Sequence, residues 1–75
     1  MYHADVLIHI NEDLDDEHIH ALERTLSMHD GVVSACVPEG RRHLLMVDYE
    51  PRRVRSNEIL SEVRARGVHA DLVGM

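Results

Sequence analysis

Seven histidines in 75 residues, together with 14 acidic side chains, carry the widest chemistry in this chain. Imidazole with carboxylate suits borderline divalent ions such as Zn(II), Ni(II) and Co(II), whereas soft Cu(I) wants sulfur. Asp15 and His18 are three residues apart, a spacing that sets two side chains on neighbouring helix surface. His43 opens a strand-like stretch, and its alternation predicts that it points to the helix side, where it joins the other two. Asp15, His18 and His43 are therefore the candidate metal site, for a divalent transition metal (Zn, Ni or Co). A reading without metal uses the same residues. In it Asp15 caps a helix, Asp16 and Glu17 complement its dipole, and His18 is solvent-exposed.

His9 and His69 are a second pair, expected on one uncovered sheet face. Two imidazoles are a weak ligand set that a dimer would double; the plainer reading is two polar side chains on a solvated surface. His20, two residues from His18, points to another helix side. His3 and His29 belong at the opposite end, with His29 at a half-buried helix end. The single cysteine, Cys36, is expected on the outer strand face, where it could bridge two chains. A cytosolic setting disfavours that, and the lack of an even cysteine set agrees with such a setting. No nucleophile–base–orienter set, phosphate-cradling glycine loop or carboxylate pair in a cleft is readable, so no enzyme is expected.

The formal charge is −6 and all eight basic residues are arginine. That balance argues against nucleic-acid binding, which needs a basic face. With two tyrosines as the only aromatics, base stacking on a sheet has little to work with. Glu12, Asp13, Asp15, Asp16 and Glu17 make one end acidic, with Arg41 and Arg42 expected nearby. Arg52, Arg53 and Arg55 make the other end basic. The acidic run lacks the alternating pattern of a calcium loop. No apolar run approaches the ~20 residues of a membrane span, so a cytoplasmic protein without membrane insertion is expected.

The elements that must position these residues follow from periodicity. Val6, Ile8 and Ile10 alternate on a first strand, 5–10. Asp15 is an N-cap, flanked by Leu14 and Ile19 at the two staple positions. Ile19, Leu22 and Leu26 predict a helix over 16–28 that Asp30-Gly31 stops. A second strand covers 32–37 and a turn 38–42. Leu45, Val47 and Tyr49 alternate on a third strand ending at Glu50-Pro51. A second helix starts near Ser56, shows Ile59, Leu60 and Val63 on one side, and ends at Gly67. Val68, Ala70 and Leu72 alternate on a last strand.

The order β-α-β-β-α-β is an α+β class chain in one domain, 1–75. Two helices cover one face of a four-stranded antiparallel sheet in order 4-1-3-2, a ferredoxin-like sandwich. Leu7, Cys36, Leu44, Met46 and Val73 share the opposite parity and gather on the uncovered face. A patch of that kind marks association, so a homodimer or a protein partner is expected there.

Glu23-Arg24-x-Leu26, Gly31-Val32-Val33-Ser34-Ala35, Val47-x-Tyr49-x-Pro51 and Ile59…Val63…Gly67 resemble the heavy-metal-associated domain. That family includes copper and mercury chaperones and the N-terminal domains of metal-pumping ATPases. The match runs over nearly the whole chain, mostly at core and turn positions. Family members carry Met-x-Cys-x-x-Cys at the end of the first loop. Counted back from Gly31, the methionine position is Asp13 and the two cysteine positions are Asp15 and His18. The glycine usual before the motif is Glu12, and the aromatic common at the start of the last strand is Val68. The resemblance thus implies a metal-binding or metallochaperone-like module whose site has changed from thiolate to Asp/His. The alternative is a metal-free interaction or self-associating module that kept the fold and lost the ligands.

Overall fold

Three successive inward positions on each of two strands build the floor of the core, and the helices close over it. In the computed structural model, which describes residues 3–73, the elements are β1 (Ala4–Ile10), α1 (Asp16–Ser27), β2 (Val32–Cys36), β3 (Leu44–Tyr49), α2 (Ser56–Arg64) and β4 (Ala70–Leu72). The sheet order is β2-β3-β1-β4 with every pair antiparallel, the expected 4-1-3-2 read from the other edge. Val6, Ile8 and Ile10 of β1 and Leu45, Val47 and Tyr49 of β3 are buried beneath Leu22 and Leu26 of α1 and Ile59, Leu60 and Val63 of α2. This is the α+β ferredoxin-like fold.

Asp15 starts α1 as read from the sequence, its Oδ1 accepting the His18 N–H at 2.9 Å. Leu14, partly buried, packs against the core, and Ile19 is buried. Met28 is the C-cap rather than the last helical residue. For α2 the cap is Arg55, whose N–H donates to Glu58 Oε1 at 3.0 Å.

Three details depart from simple alternation. β2 carries a bulge: Val32 pairs with Tyr49 and Ser34 with Asp48, so Val33 is the extra residue and is 51% exposed. That insertion keeps both Val32 and Ala35 on the core side although they are an odd number of residues apart. β4 begins at Ala70, leaving Val68 half-buried before it. Leu72 pairs with Ile8 and so has core parity, yet it sits on a short edge strand and remains 37% exposed. No helix among the described residues is long and apolar enough to cross a membrane.

Candidate functional site

Because β1 lies between β3 and β4, the chain leaving it at Ile10 emerges between the starts of both neighbours. The Ile10 N–H donates to the His43 carbonyl at 2.8 Å and the Asn11 N–H to the His69 carbonyl at 2.9 Å. The loop that follows carries Glu12, Asp13 and Asp15, and each of these carboxylates takes a different histidine. Glu12 Oε2 meets His69 Nδ1 at 2.5 Å, Asp13 Oδ1 meets His43 Nε2 at 2.8 Å, and Asp15 Oδ1 meets His18 Nδ1 at 2.5 Å. Arg42 reaches over from the β2–β3 turn, donating to Asp16 Oδ1 and to the Leu14 carbonyl, both at 2.7 Å.

The Asp15–His18 pair is exposed and polar. The cap bond from the His18 N–H, and then the His18 ring, hold the Asp15 carboxyl below its ordinary 3.8. In return the hydrogen bond and charge of Asp15 push the His18 imidazole above its ordinary 6.5, with Glu17 adding to the effect. An ionised carboxylate only accepts, so His18 Nδ1 carries the hydrogen. His18 Nε2 has no hydrogen-bond partner among the described residues. This is the arrangement in which one imidazole nitrogen is oriented by a carboxylate while the other stays available to a metal. His18 also borders a cleft of about 290 Å³ lined by Leu14, Leu22, Thr25, Gly67 and Val68. The same ring hydrogen bond to His69 draws the Glu12 carboxyl below its ordinary 4.5.

Asp15 and His18 thus come together as the sequence suggests. His43 does not join them. Its ring stacks on His9, with centroids 6.1 Å apart and planes 20° from parallel. Its Nδ1 lies 2.8 Å from the Ile10 carbonyl, and its Nε2 is against Asp13. Both nitrogens face oxygen acceptors, so strand alternation, which predicts the helix side, is overruled by local hydrogen bonding. The His9–His69 pairing gives way in the same manner, His9 stacking on His43 and His69 turning to Glu12. His29 is half-buried at the end of α1, as expected. Among the described residues no group of three or more His, Cys, Asp or Glu side chains is placed to hold a metal ion.

Sequence reading missed the Glu12–His69 and Asp13–His43 pairs. A signal for them exists: His43 and His69 stand just before the third and fourth strands, and the order 4-1-3-2 puts both beside the exit of the first.

No protein-family model matches the chain, and no curated protein matches it. Solved structures do. One is a copper binding domain from HMA7, a P-type ATPase, with 18% sequence identity, TM-score 0.83, and 93% of each chain covered. Another is the copper form of a CopA variant from Bacillus subtilis, also 18% identical, with TM-score 0.78, 99% of this chain and 96% of the other covered. At that identity the likeness carries the fold.

Proposed function

We propose that this domain handles a borderline divalent ion, Zn(II), Ni(II) or Co(II), with His18 Nε2 as its ligand and Asp15 as the group that orients the ring. The observation that carries this reading is the His18 ring itself, clamped through Nδ1 and open at Nε2 on an exposed helix start. Asp16 and Glu17 in the first turn offset the positive helix end that would otherwise oppose a cation. Two solved structures of the same fold are of copper-binding proteins. Here the sequence offers imidazole and carboxylate where the resemblance would put thiolates, and that exchange moves the preference from soft to borderline metals.

An ion at His18 would keep most of its coordination sphere for water or for a partner's donors. Such a half-site suits an ion passed on rather than one stored, so the module is a binding one and not a catalyst. Metal competes with the proton for Nε2, and Asp15 strengthens the proton's hold. Affinity therefore rises with pH as His18 deprotonates above its ordinary value. Calorimetric titration of the purified domain with Zn(II), Ni(II) and Co(II), repeated with Cu(I), tests the reading. Binding at one equivalent that His18→Ala abolishes and His43→Ala spares supports it. Binding unchanged by His18→Ala, or none at all, refutes it.

A second reading, a metal-free interaction module, is favoured by one specific observation. The face of the sheet that the helices leave uncovered carries an apolar row flanked by polar residues.

A further inference from the structure

The uncovered sheet face is ordered in rows. Leu7 pairs with Met46 and Met46 with Cys36, while Val73 donates its N–H to the Leu7 carbonyl at 2.9 Å. The middle row is thus apolar from one edge of the sheet to the other. On one side of it lie Asp5, Asp48 and Ser34, cross-strand neighbours, with Ser34 Oγ donating to Asp48 Oδ2 at 3.0 Å. The two carboxyls interact directly. The hydrogen bond and charge of Asp48 draw the Asp5 carboxyl above its ordinary 3.8, while Asp5 and Ser34 lower Asp48, with His3 close by.

On the other side of the row are Leu44, His9 and the His43 ring stacked on His9. Arg41 borders the same shallow hollow, of about 300 Å³. Arg41 makes no ion pair among the described residues. Of the acidic groups at this end, Asp71 is answered by Arg64 at 3.2 Å, Asp13 by His43 and Glu12 by His69. The face therefore has an acidic end, an apolar waist and an end that offers the Arg41 guanidinium and the His9 imidazole.

We propose that this face binds a second copy of the chain, sheet against sheet, about a two-fold axis running along the Leu7–Met46–Cys36 row. The proposal gives the interaction reading its partner. Charge selects the axis. A two-fold along the row reverses the strand direction, so the Asp5–Asp48 pair of one copy meets the Arg41 and His9 end of its partner, twice. A two-fold along the strands would set acid against acid. Isologous packing of this kind brings residues on the axis against their own symmetry copies, so Met46 meets the partner's Met46 and Cys36 lies across from the partner's Cys36. Packed sheets are about 10 Å apart, and disulfides need Cα atoms within about 7 Å. A short bismaleimide, rather than a direct disulfide, should therefore join the two thiols.

Four strands spaced about 4.8 Å apart and some five residues long present a face of only a few hundred Å², below the roughly 800 Å² per partner of a standard interface. The dimer is accordingly weak. Sedimentation in EDTA from about 10 μM to about 1 mM should show a reversible monomer–dimer equilibrium across that range. Met46→Glu, at a position 41% exposed and so harmless to the fold, should weaken it by at least about tenfold. Asp5→Arg and Arg41→Asp should each weaken it, and the double variant should restore it. Bismaleimide should cross-link Cys36 in the wild type and fail with Met46→Glu. A monomer at every concentration overturns the proposal, as does a dimer formed only with added metal. A dimer in which the two charge reversals weaken additively, without rescue, overturns the axis. The metal titration reads His18 and sedimentation reads Met46, so the half-site and the dimer can fail separately. A metal-free monomer of wild type in EDTA, together with His18-dependent binding, would refute the interaction reading as well.

Discussion

The loops at the two ends of α1 hold the chain by different physics. The loop before it, residues 11–15, is fastened by polar pairs that share the surface with water: Glu12–His69, Asp13–His43, Asp15–His18 and Arg42 onto Asp16. The loop after it is fastened by shape. Gly31 has φ +91°, and a Cβ built on it would lie 2.8 Å from Val54 Cγ1 and 3.0 Å from Arg53 Cβ. Val54 is 2% exposed, and the Gly31 carbonyl accepts the Glu50 N–H at 2.8 Å. One end admits no extra atom, while the other exposes side chains whose individual pairings contribute little to stability. Residue types can therefore change at the first loop with the fold intact, and the proposed His18 ligand and its orienter Asp15 lie at that end.

Gly31→Ala should break the closed end with the largest effect. It combines a left-handed backbone for a non-glycine residue with a clash, and should cost roughly 2–4 kcal/mol in urea unfolding. Gly67→Ala is the control, with φ +83° and nothing within 4 Å of the added carbon. It should cost only about 1–2 kcal/mol, the backbone part alone. Equal losses for the two would mean that Val54 does not press on Gly31. Adding Val54→Ala to Gly31→Ala should give less than the sum of the two single effects, since it removes the methyl that clashes.

At the open end the effects are smaller. Asp15→Ala removes the helix cap and should lower the Tm by about 5 °C. Its effect should also depend on pH, and the sign follows from the two shifts. The His18 pKa is raised on folding, so its contribution is full below 6.5 and is lost as pH rises through the folded value. The Asp15 pKa is lowered, so its contribution is full above 3.8 and is lost as pH falls. The Tm difference between wild type and His18→Ala should therefore be widest between those two values and shrink on either side. A flat difference would show that the pair is not formed in solution. Arg42→Ala should change the Tm least, because both partners of its side chain are at the surface.

How much of this was legible in the sequence depends on the range of the interaction. The Asp15 cap, the Leu14–Ile19 staple and the glycine after α1 are local, and alternation in 6–10 and 45–49 places both central strands. Val33 was not legible as a bulge, because Val32, Val33 and Ser34 read as ordinary strand residues. Only the partner register with Tyr49 and Asp48 shows the insertion. The Asp15–His18 pair, three residues apart, was readable. Asp13–His43 and Glu12–His69 join distant parts of the chain and depend on β1 lying between β3 and β4. His43 went astray for that reason: alternation fixes the direction of a strand residue, but His43 precedes β3, and the Ile10 carbonyl and Asp13 set its ring. The outer apolar row was legible from parity, whereas the opposed charges on its two sides needed the register.

The most direct test of His18 as ligand and Asp15 as its orienter is a long-range proton–nitrogen NMR spectrum of the histidine rings with and without one equivalent of Zn(II). On adding Zn(II), His18 Nε2 should move into the metal-bound range while His18 Nδ1 keeps its hydrogen on Asp15 and the His43 ring stays unchanged. A metal-bound signal from His43, His9 or His69, or no change at His18, would contradict it.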